Sequence, residues 1–343
     1  MKKILFTALM LCGVLFAQAQ LQVATLTHNG ETTMFYGADA LQKAKAAADH
    51  GDVINLSAGT FSGCSITKAI TLRGVGCSGS QVTLINSYLA SRVSFDSTIV
   101  DSTNYAVKIE GLKIDGVLII DKNINNGNIL KCVLNRISFD NIPLAYNMNI
   151  SNCKIMANTS GGAIYGTVTG NPTFYNCVIN NYPLCYNVDA KVNNGAFGFV
   201  NCLFIASGDK GISYYDTNRF FYNCIITNKS SESANLAEYS NCIFINFKIH
   251  NNYYNHNPAT ELTTFEQVFK TFTGTYSDDE TFELTDEAKL FLGTDGKEVG
   301  IYGGPMPFNT NPTYPRITKL DVGSEVSADG KLSVDIEVKS MNE

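Results

Sequence analysis

The chain has 343 residues, a formal charge of −6, 16% charged and 45% hydrophobic residues. With no basic run anywhere, a nucleic-acid partner is excluded. The length exceeds what one round core usually serves, which favours an elongated repeat architecture.

In chain order the first signal is a leader. Lys2 and Lys3 precede an apolar stretch over 4–16 that is too short to span a bilayer, and Ala17-Gln18-Ala19 supplies a small-x-small cleavage site. Residues 1–19 therefore read as a signal peptide, and the protein as exported: periplasmic, cell-surface or extracellular. Cys12 is not read as a lipidation site, because Leu11 stands before it where a small residue is required. No later segment is apolar enough to form a transmembrane helix.

An internal repeat dominates the rest of the chain. Lys131-Cys132, Asn152-Cys153, Asn176-Cys177, Asn201-Cys202, Asn223-Cys224 and Asn241-Cys242 recur at steps of 18 to 25 residues. A wider template admits Gly63-Cys64 and Gly111-Leu112. Three residues before these anchors stand Phe61, Ile109, Ile129, Ile150, Phe174, Phe199, Phe221 and Tyr239. Two residues after stand Ile66, Ile114, Leu134, Ile155, Ile179, Phe204, Ile226 and Phe244. An anchor and the residue two later share one strand face. The residue three before can face the same core only if the chain bends between them, and Asn and Gly most readily take a left-handed bend. A third apolar string (143–147, 163–165, 183–187 and 211–214) gives three strands per turn. The fold class predicted is all-β: a right-handed, three-sided parallel β-helix over 20–257. The corner asparagines are expected to stack with their amides bonding along the axis, and the corner at Lys131 to differ.

On these residues the chain resembles the pectin-lyase-like superfamily of β-helices. Ala38-Asp39-Ala40-Leu41 opens a short capping helix, followed by Gly51-Asp52-Val53-Ile54-Asn55-Leu56, Gly59-Thr60-Phe61 and Ile70-Thr71-Leu72-Arg73-Gly74. Gly293-Thr294-Asp295-Gly296 and Gly300-Ile301-Tyr302-Gly303-Gly304 resemble the closing segment of bacterial envelope members. The likeness spans 38–304 and implies a polysaccharide partner. It leaves the activity open, since function resides in sites grafted on such folds.

Lyases of that superfamily use a cationic base, often with carboxylates that bind calcium. The outward position after each anchor reads Ser65, Lys113, Val133, Lys154, Val178, Leu203, Ile225 and Ile243. Lys113 and Lys154, two rungs and about 10 Å apart, with Asp115, are the candidate catalytic groups; Asp121, Arg136 and Asp140 lie near in sequence. Solubilising lysines are the competing reading, and no hydrolase-like aspartate cluster is present. Tyr146, Tyr165, Tyr186 and Tyr215 are candidate sugar platforms, with simple packing as the alternative. No resident cofactor or metal is predicted; calcium would enter only with a lyase. His250 and His256 read as solvated loop residues. The functional expectation is a non-catalytic, polysaccharide-associated protein. The alternatives are a polysaccharide lyase or glycoside hydrolase acting on an acidic glycan, and a structural or adhesive envelope protein.

Seven cysteines at anchors read as stacked, buried, reduced thiols, and Cys64–Cys77 as the most favourable pair for a bridge. After Lys154 the outward row turns apolar, and such a patch must be covered. Thr263-Thr264-Phe265-Glu266 has capping-box spacing, a second helical turn is expected over 285–291, and residues 258–308 are assigned as the cover, with Phe265, Phe269 and Phe272 in contact. Tyr175, Val200 and Tyr222, outward before the corner, are expected to extend the same patch. Residues 309–343 read as a linker and a hairpin, with strands over 317–326 and 332–338 around Asp329-Gly330.

Overall fold

A computed structural model describes residues 22–76, 82–85, 106–121, 123–140, 145–156, 163–166, 168–180, 196–205, 218–227, 237–246, 254–259, 261–311, 313–314, 316–326 and 330–339. The predicted leader and Cys77 lie outside these residues.

Strands on either side of the predicted corner build two stacked sheets, one of 12 strands and one of 10, almost wholly parallel. The first sheet takes the strands before the corner, among them Val107–Glu110, Gly127–Leu130, Asn149–Ser151, Thr173–Tyr175, Ala196–Val200, Asn218–Tyr222 and Ala237–Ser240. The second takes those after it, from Lys113–Ile120 and Val133–Phe139 to Ile225–Thr227 and Ile243–Ile245. Among the described residues the third side is one short pair, Ile124–Asn125 with Ala145–Tyr146. The Ala163-Ile164-Tyr165 string, expected on that side, instead enters strand Ile164–Gly166, which pairs with Ile137, Ser138 and Phe139 in the second sheet.

The interior follows from the register. Phe174, Phe199, Phe221 and Tyr239 stack at centroid spacings of 5.0 Å, the rung spacing expressed in rings. Beside them Cys132, Cys153, Cys177, Cys202, Cys224 and Cys242 are buried free thiols. Each S–H reaches carbonyls at the corner; that of Cys153 faces Ser151 O at 3.3 Å and Ile129 O of the preceding rung at 3.6 Å. Burial raises the thiols of Cys132, Cys153, Cys177 and Cys224 well above the usual range, so they behave as small hydrophobes rather than nucleophiles.

The corner is left-handed in every clear rung. Asn152, Asn176, Asn201, Asn223 and Asn241 have φ between 50° and 56°. Lys131 does not differ as expected: its φ is 53°. Its cost of about 1–2 kcal/mol in that region is set against the bond its Nζ donates to Asn311 O at 2.5 Å.

The first rung corrects the repeat. Phe61 belongs to the second sheet, in register with Leu84 and through it Ile114; the residue matching Ile109 is Leu72, and before it Ile54. Cys64 is therefore not a ladder anchor, although it is a buried free thiol whose pKa burial pushes up to about 11. Ahead of this rung an antiparallel hairpin, Val23–His28 with Glu31–Tyr36, joins the first sheet at Val53–Leu56. Asn29 and Gly30, both at positive φ, form its two-residue turn. Helix Ala40–Ala47 buries Ala40, Leu41 and Ala44 over the end of the core.

Past the last rung the chain turns back. Val268, Phe269, Phe272, Phe282, Leu284, Val299 and Ile301 form one buried cluster with Val178, Leu203, Ile225 and Ile243. Phe265 packs against it partly exposed. The capping box sits one residue later than its predicted spacing: Thr264 Oγ1 accepts from Gln267 N, and Gln267 Oε1 accepts from Thr264 N. The helix it opens is the single turn Phe265–Val268, and a 3-10 turn occupies Ala288–Leu290. Tyr175, Val200 and Tyr222 remain half-buried, because this segment covers the second sheet and not the first. Strands Arg316–Val326 and Leu332–Lys339 pair as an antiparallel hairpin.

Candidate functional site

The outward row of the second sheet is the element on which a site is built. Lys113, Val133, Lys154, Val178, Leu203, Ile225 and Ile243 stand in continuous register. The row is polar and uncovered at its start and apolar and covered at its end, and Lys154 marks the border.

Lys154 keeps only 15% of its side chain exposed. Its Nζ donates to Asp278 O at 3.3 Å, lies 3.9 Å from Asp278 Oδ1, and sits 5.7 Å from the centre of the Tyr276 ring. Tyr276 donates its hydroxyl to Asp278 Oδ1 at 2.8 Å, and burial, then that carboxylate, raises its pKa. Lys154 thus fastens the covering segment to the solenoid. Lys113 shares its row with Val133 between, and its Nζ lies 3.6 Å from Asp115 Oδ1, with 40% and 44% of the two side chains exposed. Such a pair contributes at most about 1 kcal/mol and remains available to a ligand.

Beyond a bulge after Leu134 the next outward positions are Arg136, in register with Val117, and Ser138, in register with Ile119 and Tyr165. Ser138 donates to Asp140 Oδ1 at 2.5 Å. Asp121 is buried, and its Oδ1 has no hydrogen-bond partner among the described residues. Lys113, Asp115, Arg136, Asp140 and Tyr165 therefore form an open flank carrying both signs of charge on a sheet face. Of the candidate tyrosines, Tyr165 is half-buried on this flank, while Tyr146 is 49% exposed on the third side. The two stand on different sheets and form no common strip. Tyr186, Tyr215 and His250 lie outside the described residues. His256 closes the edge strand Tyr254–His256 of the first sheet.

The corner side chains, whose amides were expected to bond to one another along the axis, instead serve the returning chain. Asn241 Nδ2 donates to Leu292 O, and Asn176 Nδ2 to both Ile301 O and Gly303 O, all at 2.8 Å. Asn223 accepts from Thr294 N at 2.8 Å, and Asn152 accepts from Asn309 N at 2.6 Å. Buried Glu110 accepts from Thr313 N at 2.8 Å and pairs with Lys108 at 2.7 Å, while Arg73 lies over the Tyr314 ring at 5.3 Å. Residues 292–311 and 313–314 thus run back along the ladder as a strap, continuing past position 308. The sequence held a signal for this: a left-handed corner turns its amide away from the core, and a row of such amides needs partners.

No protein-family model, no curated protein and no solved structure matches this chain.

Proposed function

We propose that the protein is an exported β-solenoid that engages a polysaccharide without cleaving it, through the flank of Lys113, Asp115, Arg136 and Tyr165. Membership of the pectin-lyase-like superfamily belongs to this proposal and rests on the resemblance of residues 38–304. One observation carries the reading: the outward row is covered from Val178 onward, yet stays polar and open at Lys113. A long polymer laid on a sheet face meets donors from Lys113 and Arg136, acceptors from Asp115 and Asp140, and the ring of Tyr165. The second cation a paired site would use, Lys154, is held by Asp278.

The test is a glycan array on the mature chain, followed by an ultraviolet assay for unsaturated uronide release on every glycan that binds. Binding without release, weakened by Lys113→Ala, supports the reading. Release of unsaturated uronides would replace it with a lyase, and no binding at all with a structural role.

A further inference from the structure

The covering segment carries an open hollow of about 320 Å³ on its outer surface, lined by Thr281, Glu283, Leu284, Lys289, Glu298 and Tyr302. Ligand sites range upward from about 300 Å³, so the space suits one small unit. Its floor is apolar: Leu284 belongs to the buried cluster over the solenoid, and Tyr302 packs against that cluster. Tyr302 is half-buried and its hydroxyl donates to Thr281 O, which fixes the ring.

The charges of the hollow nearly cancel. Glu283 Oε1 holds Lys270 at 2.6 Å and Lys289 at 3.5 Å, so one carboxylate faces two ammonium groups. Glu298 supplies the balancing charge; it is half-buried and has no ion-pair partner among the described residues. The Tyr302 pKa is raised by burial first, and then by Glu283, Glu298 and Glu280, as expected if these carboxylates face its ring. A free anionic ligand would meet Glu298, and a strongly cationic one would meet Lys289. A neutral polyol meets an acceptor at Glu298, a donor at Lys289 and an aromatic edge at Tyr302, over an apolar floor.

We infer that this hollow is a subsite for one neutral sugar unit, formed by Glu298, Lys289 and Tyr302 on the covering segment, apart from the Lys113 flank. The inference rests on the reading that the protein engages a polysaccharide, and adds where a neutral residue of that polymer is held. It gives the segment a second task besides shielding the apolar row.

The experiment is calorimetric titration of the mature chain with neutral tetrasaccharides of glucose, mannose and N-acetylglucosamine, and in parallel with tetragalacturonate. Wild type, Glu298→Gln, Lys289→Met and Lys113→Ala are compared, each with a thermal melt to verify folding. The expected result is a neutral tetrasaccharide whose affinity falls about tenfold or more in both Glu298→Gln and Lys289→Met and is retained in Lys113→Ala. Neutral binding untouched by the two hollow variants but lost in Lys113→Ala would overturn the subsite and leave the flank reading standing. Binding of tetragalacturonate alone would do the same. Binding of no saccharide would overturn both.

Discussion

The amide of Asn176 offers the sharpest test of how the strap is held. It donates to two buried carbonyls at 2.8 Å, and its backbone is left-handed at φ 50°. Replacement by Gly keeps the backbone conformation accessible and removes only the amide; Ile301 O keeps its bond from Phe308 N, so among the described residues Gly303 O is the carbonyl left without a donor, at about 1–3 kcal/mol. The expected loss is therefore about 1–3 kcal/mol. Asn176→Ala should cost about 1–2 kcal/mol more, because a Cβ in the left-handed region clashes with the following carbonyl. Asn201 is the internal control: its φ is 54° and it is equally buried, yet its Nδ2 donates to nothing among the described residues. Asn201→Gly should cost about 1 kcal/mol or less by the same reasoning. Urea unfolding followed by far-ultraviolet circular dichroism reads all three. Equal losses for Asn176→Gly and Asn201→Gly would refute the argument, since the amide would then matter only for its backbone conformation.

Truncation after Asn257 should expose Val178, Leu203, Ile225 and Ile243, each worth about 1.5–3 kcal/mol when buried, and produce dye binding or aggregation; a monomeric, equally stable product would show that the segment is not the cover. Unfolded without reductant, the protein should titrate at least seven thiols, from Cys64 and the six ladder positions, and those seven should resist modification in the native state. Recovery of one thiol or none would mean a disulfide-stapled solenoid. Burial works to raise the Glu110 carboxyl, but its bonds to Lys108 and Thr313 outweigh that and leave it below its ordinary value of 4.5. A lowered folded-state pKa gives stability that is full above the unfolded value and lost as pH falls through the folded one. Proteolysis near Thr313 should accordingly rise below about pH 4, and Glu110→Gln should remove that dependence.

What the sequence made legible was whatever has a period. The apolar residues three before and two after each anchor and the left-handed asparagines recur at the rung spacing, and the outward row switches in step with them after Lys154, so each rung corroborates the next. The first rung broke the period: Gly63-Cys64 imitates an anchor, and only the pairing of Phe61 with Leu84 shows that the corner lies earlier, between Leu56 and Gly59. The Asn29-Gly30 turn was readable by its dipeptide, but one hairpin contributes no repeat to corroborate it. The candidate site was less legible for a similar reason. Lys113 and Lys154 look equivalent in the row, and what separates them is Asp278 and Tyr276, more than a hundred residues away in a segment with no repeat of its own.

That segment also explains why its own sequence says so little. The strap meets the ladder mostly through backbone, offering carbonyls at Leu292, Ile301 and Gly303 and N–H groups at Thr294 and Asn309. Backbone is common to every residue type, so side chains along it are free except where they are buried, as at Val299 and Ile301, or where the chain approaches too closely for one. At Gly303 an added Cβ would stand 1.9 Å from Glu298 O and 2.3 Å from the Asn201 amide, and at Gly300, with φ 78°, it would stand 2.6 Å from the Ile225 side chain. Specificity thus resides in the solenoid's amides, in the buried Val299 and Ile301 and in a few glycines, and the segment's outer surface is under fewer of the fold's demands. Leu290 is 80% exposed there, and Glu298 has no ion-pair partner among the described residues. Side chains released from structural duty on a rigidly docked segment can be specified by a ligand, which is why the hollow at Tyr302, and not the buried ladder, is where recognition on this segment is to be sought.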